Sequence, residues 1–174
     1  HVDETGINKN GDRYWLHSAS NRQWTCFYPH ERRGTEAIDS IGIVPQFRGI
    51  LCHDHLKAYY TYPCTHALCN AHHLRELEGV WEGDNTQKWA KEMKALLEEI
   101  NRVTNDAGGM LGVGESEKHR QRYRAILQNA EAESPPPDET NRKRKRGREK
   151  KTKARNLLER LRKYEDDVLR FMDN

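Results

Sequence analysis

The sequence predicts an α/β chain, with a mixed sheet over residues 1–80 followed by a helical region over residues 81–174. Three observations predict it. Short runs rich in aromatic and β-favouring residues crowd the first part of the chain. Beyond them, apolar residues recur at alternating spacings of four and three, the period of a helix face. Hydrophobic residues make up 34% and charged residues 33% of the 174 positions. Globular chains carry about 45–50% apolar residues (glycine included) and about 25% charged ones, so one modest core with polar, extended helices is expected.

The elements follow in order. Residues 1–5 form a strand fragment. Residues 13–19 (RYWLHSA) and 23–28 (QWTCFY) are two strands, and the Ser20-Asn21-Arg22 turn makes them a hairpin closed by Pro29. Residues 34–41 are a short helix with Thr35 as its N-cap. Residues 48–52 are the strand that delivers Asp54, residues 66–69 another short strand, and residues 71–80 a helix. Trp89, Met93, Leu96, Ile100 and Val103 mark an amphipathic helix. The glycines of residues 105–114 make a loop. Tyr123, Ile126, Leu127 and Ala130 mark another helix, which the prolines after Ser134 end. A last helix is expected to run through the basic segment to the end. Its Leu157, Leu161, Tyr164, Val168 and Phe171 form a seam for antiparallel packing, with residues 87–103 as the proposed partner.

The stretch LCHDHLKAYY (residues 51–60) runs an apolar strand into Asp54, flanked by His53 and His55. The order strand, hairpin, helix, strand is that of an RNase H-like sheet. In such a sheet the first strand carries an acid, and the fourth strand lies beside the first and ends at a second acid. Asp3 and Asp54 occupy those places. Two close carboxylates repel, and one keeps its proton unless a cation sits between them. Mg²⁺ and Mn²⁺ favour oxygen ligands. A pair of such ions serves phosphodiester hydrolysis and strand transfer. The plainer alternative is two separate surface or capping aspartates.

Four stretches resemble the insertion-sequence-66 family of DDE transposases: HVDETG, FRGILCHDHLKAYY, CNAHHLREL and LLERLRKYEDDVLRFMDN. Singly they are weak; in this order they are specific. The resemblance implies that Asp3 and Asp54 are the first two catalytic acids and metal ligands. It places the third acid, a glutamate, after the helical insertion and beyond Asn174, so that this chain is expected to be a fragment with little activity alone. Glu76 is a poorer candidate because it precedes that insertion. The resemblance also implies double-stranded DNA, as element ends and target, for a partner, and self-association of the full protein. An RNase H-like nuclease and a non-catalytic nucleic-acid-binding or oligomerisation module are the competing readings.

Net charge is only +3, yet residues 142–155 hold ten Lys/Arg and one Glu. Arg142, Lys143, Arg144, Lys145, Arg146, Arg148, Lys150, Lys151, Lys153 and Arg155 make a basic arm suited to phosphates; a solvated charge run is the bland alternative. Arg75 and His72 are further candidates for DNA contact, as are Arg32 and Arg33. CTHALCNAHH gathers Cys64, His66, Cys69, His72 and His73. Structural zinc wants four ligands in two separated pairs, and the missing second pair argues against Zn²⁺. The four cysteines read as reduced thiols. Trp15, Trp24, Phe27 and Tyr28 read as hairpin core rather than base-stacking residues. No run of 18 apolar residues and no signal peptide is visible, although the start reads as cut, so a cytoplasmic, nucleoid-associated bacterial protein is expected.

Overall fold

The computed structural model describes residues 1–137 and 150–173. The chain forms two compact units, His1–Cys69 and Asn70–Asn174. The first is α/β and the second all-helical. The helix after residue 70 belongs to the second unit.

In the first unit β1 (Val2–Lys9), β2 (Asp12–Ser20) and β3 (Thr25–His30) form an antiparallel sheet in that order. Asn10 and Gly11, at φ 55° and 93°, make the first turn. This is the two-residue Asn-Gly hairpin, which needs positive φ at both positions. Asn21 builds the second turn: its Oδ1 accepts from the N–H groups of Gln23 at 2.8 Å and Trp24 at 2.9 Å. Paired residues share a face, so Val2 and Ala19 lie on one side of the sheet and Asp3 and Ser18 on the other. The buried side packs Val2 and Ala19 with Ile38, Val44, Leu51 and Tyr59.

The chain continues through α1 (Thr35–Ile41) and α2 (Ile43–Gln46) to β4 (Ile50–His53), a 3₁₀ turn (Lys57–Thr61) and β5 (Thr65–Leu68). Gly34 is the N-cap of α1, not Thr35, which is its first helical residue. β4 and β5 pair in parallel as a separate two-stranded sheet, and β4 lies against β1 without a ladder of hydrogen bonds. The aromatic residues correct an expectation. Trp24, Phe27 and Tyr28 are 47%, 63% and 39% exposed: Trp24 sits in the turn before β3, Phe27 faces away from the core, and Tyr28 lies on the core side of an edge strand. Trp15 is half-buried, with the Arg33 guanidinium over its ring at 4.9 Å.

The helical unit comprises α3 (Asn70–Gly83), α4 (Lys88–Asp106), α5 (Val113–Glu133), α6 (Lys153–Lys163) and α7 (Glu165–Leu169), followed by a 3₁₀ turn (Arg170–Met172). The stripe on α4 is buried from Trp89 through Met93 and Leu96 to Ile100, facing α3 and α5. Gly109, at φ 107°, donates its N–H to the Thr104 carbonyl and ends that helix. Tyr123 is buried and donates its hydroxyl to the Leu161 carbonyl at 2.9 Å.

Two expectations about the last helix change. Residues 150–152 are not helical; Thr152 is an N-cap, accepting from the Arg155 N–H at 3.0 Å, so α6 starts at Lys153. Helix α6 packs mainly on α3 and α5, and among the described residues it is the terminal 3₁₀ turn that meets α4 most closely. The helix also breaks at Tyr164 (φ −116°, ψ 32°), so its seam is not continuous. Among the described residues no helix is long and apolar enough to cross a membrane.

Candidate active site

Strand β4 ends in a tight reversal that fixes Asp54. Its Oδ1 accepts from the Leu56 N–H at 2.9 Å, a local turn of the kind aspartate favours. His55 between them holds a left-handed backbone, φ 77°, which a non-glycine residue adopts only where its surroundings impose it. The His55 N–H in turn donates to His53 Nδ1 at 3.1 Å. Asp54 Oδ2 faces Arg33, whose Nη2 donates to it at 3.4 Å.

His53 is fully buried, and its Nε2 lies 3.2 Å from Nδ1 of His66 on β5. With Nδ1 occupied by a backbone N–H, the network assigns the proton of neutral His53 to Nε2, donating to His66. Burial, then the neighbouring His66, lowers the His53 pKa to about 4. Tyr59 and Tyr60 pack their rings against His53 at 5.1 and 4.9 Å. This cluster makes the end of β4 rigid and uncharged immediately before the aspartate.

Across on β1, the two-residue alternation separates neighbouring acids. Asp3 is exposed; its Oδ1 accepts from the Glu4 N–H at 2.9 Å. Glu4 points inward and is 8% exposed. Tyr59 donates its hydroxyl to Glu4 Oε2 at 2.8 Å, and Arg33 donates Nε to Oε1 at 2.8 Å. Burial raises the Glu4 pKa, and the hydrogen bonds from Tyr59 and Arg33 oppose it. Burial first, and then the charges of Glu4, Asp54 and Asp3, push the Tyr59 phenol up.

Sequence reasoning missed Glu4 as part of this cluster and read Arg33 only as a phosphate contact. The signal for Glu4 was its place two residues from Val2, on the buried side of the same strand. Arg33 is reached only by folding, since its partners lie 29 and 21 positions away.

The CTHALCNAHH residues diverge. His66 and Cys69 turn to β4, where contact with Cys69 and then burial push the Cys52 thiol up. His73 is buried in the helical unit with Nδ1 3.0 Å from Asn70 Oδ1. His72 is half-buried and Arg75 exposed, both on α3. Glu76 pairs with Arg160, a link between α3 and α6. All four cysteines are free thiols. Among the described residues no three His, Cys, Asp or Glu converge on a point that a metal ion fits.

Of the basic arm, Arg142, Lys143, Arg144, Lys145, Arg146 and Arg148 lie outside the described residues. Lys151 pairs with Glu159. Arg155 is buried between Glu131, Glu159 and the Ser134 carbonyl. Lys150 and Lys153 are exposed.

A family model described as "Transposase IS66 family" matches residues 1–174, the whole chain. The chain belongs to the IS66 transposase family. No curated protein and no solved structure matches it. Membership in the IS66 family makes DNA the material on which the protein acts in transposition.

Proposed function

We propose that this IS66-family chain carries an RNase H-like, DDE-type catalytic face, on which Asp3 and Asp54 hold the divalent metal used for phosphodiester cleavage and strand transfer. The observation that supports it most is the tie between β1 and β4. Asp54, fixed by its turn at the end of β4, is joined through Arg33 to Glu4 of β1, which brings Asp54 to the strand that carries Asp3, although the Asp3 side chain leaves the opposite face of that strand.

The donor chemistry fits. Carboxylate oxygens suit Mg²⁺ or Mn²⁺, and Mg²⁺ characteristically keeps several waters and takes only one or two protein carboxylates. A guanidinium resting on Asp54 marks that oxygen as a place where positive charge is favourable. When bound, such ions activate the attacking oxygen and stabilise the leaving one.

The chain's own residues orient this arrangement. The Leu56 N–H holds one oxygen of Asp54 and leaves the other to meet a cation. Neutral His53 withholds a positive charge from the strand end. Lys150 and Lys153, exposed beside the N-terminus of α6, serve as phosphate contacts, while Lys151 and Arg155 secure the helix.

The test is cleavage of element-end DNA by the complete transposase in Mg²⁺, with Asp3→Ala and Asp54→Ala made singly. Each is expected to lower the rate by about 10³-fold, as loss of several kcal/mol of metal-assisted stabilisation requires. Full activity in either variant overturns the assignment of that acid.

A further inference from the structure

Arg33 reaches the acids from the segment between β3 and α1, and its guanidinium is divided between two carboxylates. Nε lies 2.8 Å from Glu4 Oε1, while Nη2 is a looser 3.4 Å from Asp54 Oδ2. The Trp15 ring, 4.9 Å below, supports the guanidinium. Glu4 is buried and also takes the Tyr59 hydroxyl, so it is the fixed end of the arrangement. The side chain of Asp54 is 17% exposed and that of Arg33 is 42% exposed, so the Arg33–Asp54 contact is the end open to solvent.

We infer that Arg33 is a resident counter-cation for Asp54, competing with a divalent ion for Oδ2, and that Glu4 is the anchor that holds Arg33 back from closing fully on it. This rests on Asp54 being a metal ligand. Arg33 is thus a positioning residue. It keeps two nearby acids from repelling each other before an ion arrives, and it yields Asp54 without leaving Glu4. The geometry supports that order of release, because the Glu4 contact is the shorter and the more buried of the two. A like-charged ion entering at Asp54 meets a guanidinium that already has a second partner to retain it.

The two ends of Arg33 predict effects of opposite sign. Mn²⁺ binding to the chain is measured by water-proton relaxation at pH 8, with a thermal melt of each variant. Arg33→Gln frees Asp54 and is expected to tighten Mn²⁺ binding by about fivefold or more, the scale of one screened charge at contact. Arg33→Lys keeps the charge and stays near the parent. Glu4→Gln removes the anchor, leaves Arg33 to Asp54 alone, and weakens Mn²⁺ binding. Both Arg33→Gln and Glu4→Gln break the same ion pair, so a merely structural role moves the two affinities in the same direction.

That shared direction, or an Arg33→Gln affinity equal to the parent's, overturns the inference. If Arg33→Gln fails to fold, Glu4→Gln decides: binding that is unchanged or tighter overturns it. Asp54→Ala separates the two levels. Loss of Mn²⁺ binding there, with no opposed shifts at Arg33 and Glu4, sinks this inference alone. Unaltered Mn²⁺ binding in Asp54→Ala removes the metal role of Asp54 and the inference with it.

Discussion

The two units treat charge in opposite ways. The α/β unit buries Glu4 and His53 beside its apolar core and keeps Asp54 and Arg33 at the edge of the same cluster. The helical unit fills its centre with Trp89, Met93, Leu96, Leu158 and Leu161 and ties its surface with pairs such as Arg122–Glu99 and Arg124–Glu165. The first arrangement is costly to fold, because a buried carboxyl and a neutralised histidine give up hydration. The second costs little and contributes little per pair. Arrangements of this costly kind concentrate at functional sites.

The sharpest way to break this comparison is in the helical core. Leu158→Ala is expected to destabilise that unit by about 2–5 kcal/mol, since Leu158 is fully buried between packed helices. Urea unfolding followed by circular dichroism measures it, and a loss under 1 kcal/mol means the core is not what holds the helices.

The next effect belongs to the α/β unit. His53 has a folded-state pKa near 4, below its ordinary 6.5. As pH falls from 6.5, the unfolded chain takes up a proton that the folded one refuses until about pH 4. Stability is therefore lost across that window, by on the order of 2–3 kcal/mol, and is fully present above it. Glu4, raised by burial, acts with the opposite sign: the folded chain takes its proton first, so stability is gained as pH falls through its raised pKa. Comparing parent and His53→Gln melts from pH 7 to 4 isolates the histidine; parallel profiles refute its role.

Third, Lys150→Gln with Lys153→Gln should reduce the salt slope of duplex DNA binding by about 2, one phosphate contact each. An unchanged slope removes these two lysines from the DNA contact.

The smallest effect sharpens the contrast most. Arg122 and Glu99 form a bidentate pair at 2.5 and 2.8 Å, yet Arg122 is half exposed. Arg122→Ala is expected to change unfolding by no more than about 0.5 kcal/mol after solvent screening. A larger loss assigns structural weight to the surface pairs.

Much of the architecture was legible because its signals are local. The 4-3 spacing on α4, the turn at Asn21 and the proline stop after Ser134 each depend on a few adjacent residues. Pro29 was expected to close the hairpin, yet β3 runs through it to His30, because an edge strand tolerates a position without an N–H. The errors came where a neighbour decides. Phe27 has the composition of a core residue, but exposure depends on whether a second layer covers its face. The last helix was drawn too long because Thr152 prefers the cap to the helix interior. Asp54 stood out at the end of an apolar run, whereas the Glu4–Arg33 tie and the His53–His66 pair join residues far apart in the chain. Sequence spacing carries no trace of either.

Strand β3 has practical consequences at the bench. It leaves one hydrogen-bonding edge unpaired within its sheet, beside the bare ring of Phe27, and Pro29 blunts only one position of that edge. Concentrated samples should stick there first. Phe27→Lys is the replacement to make before crystallisation trials.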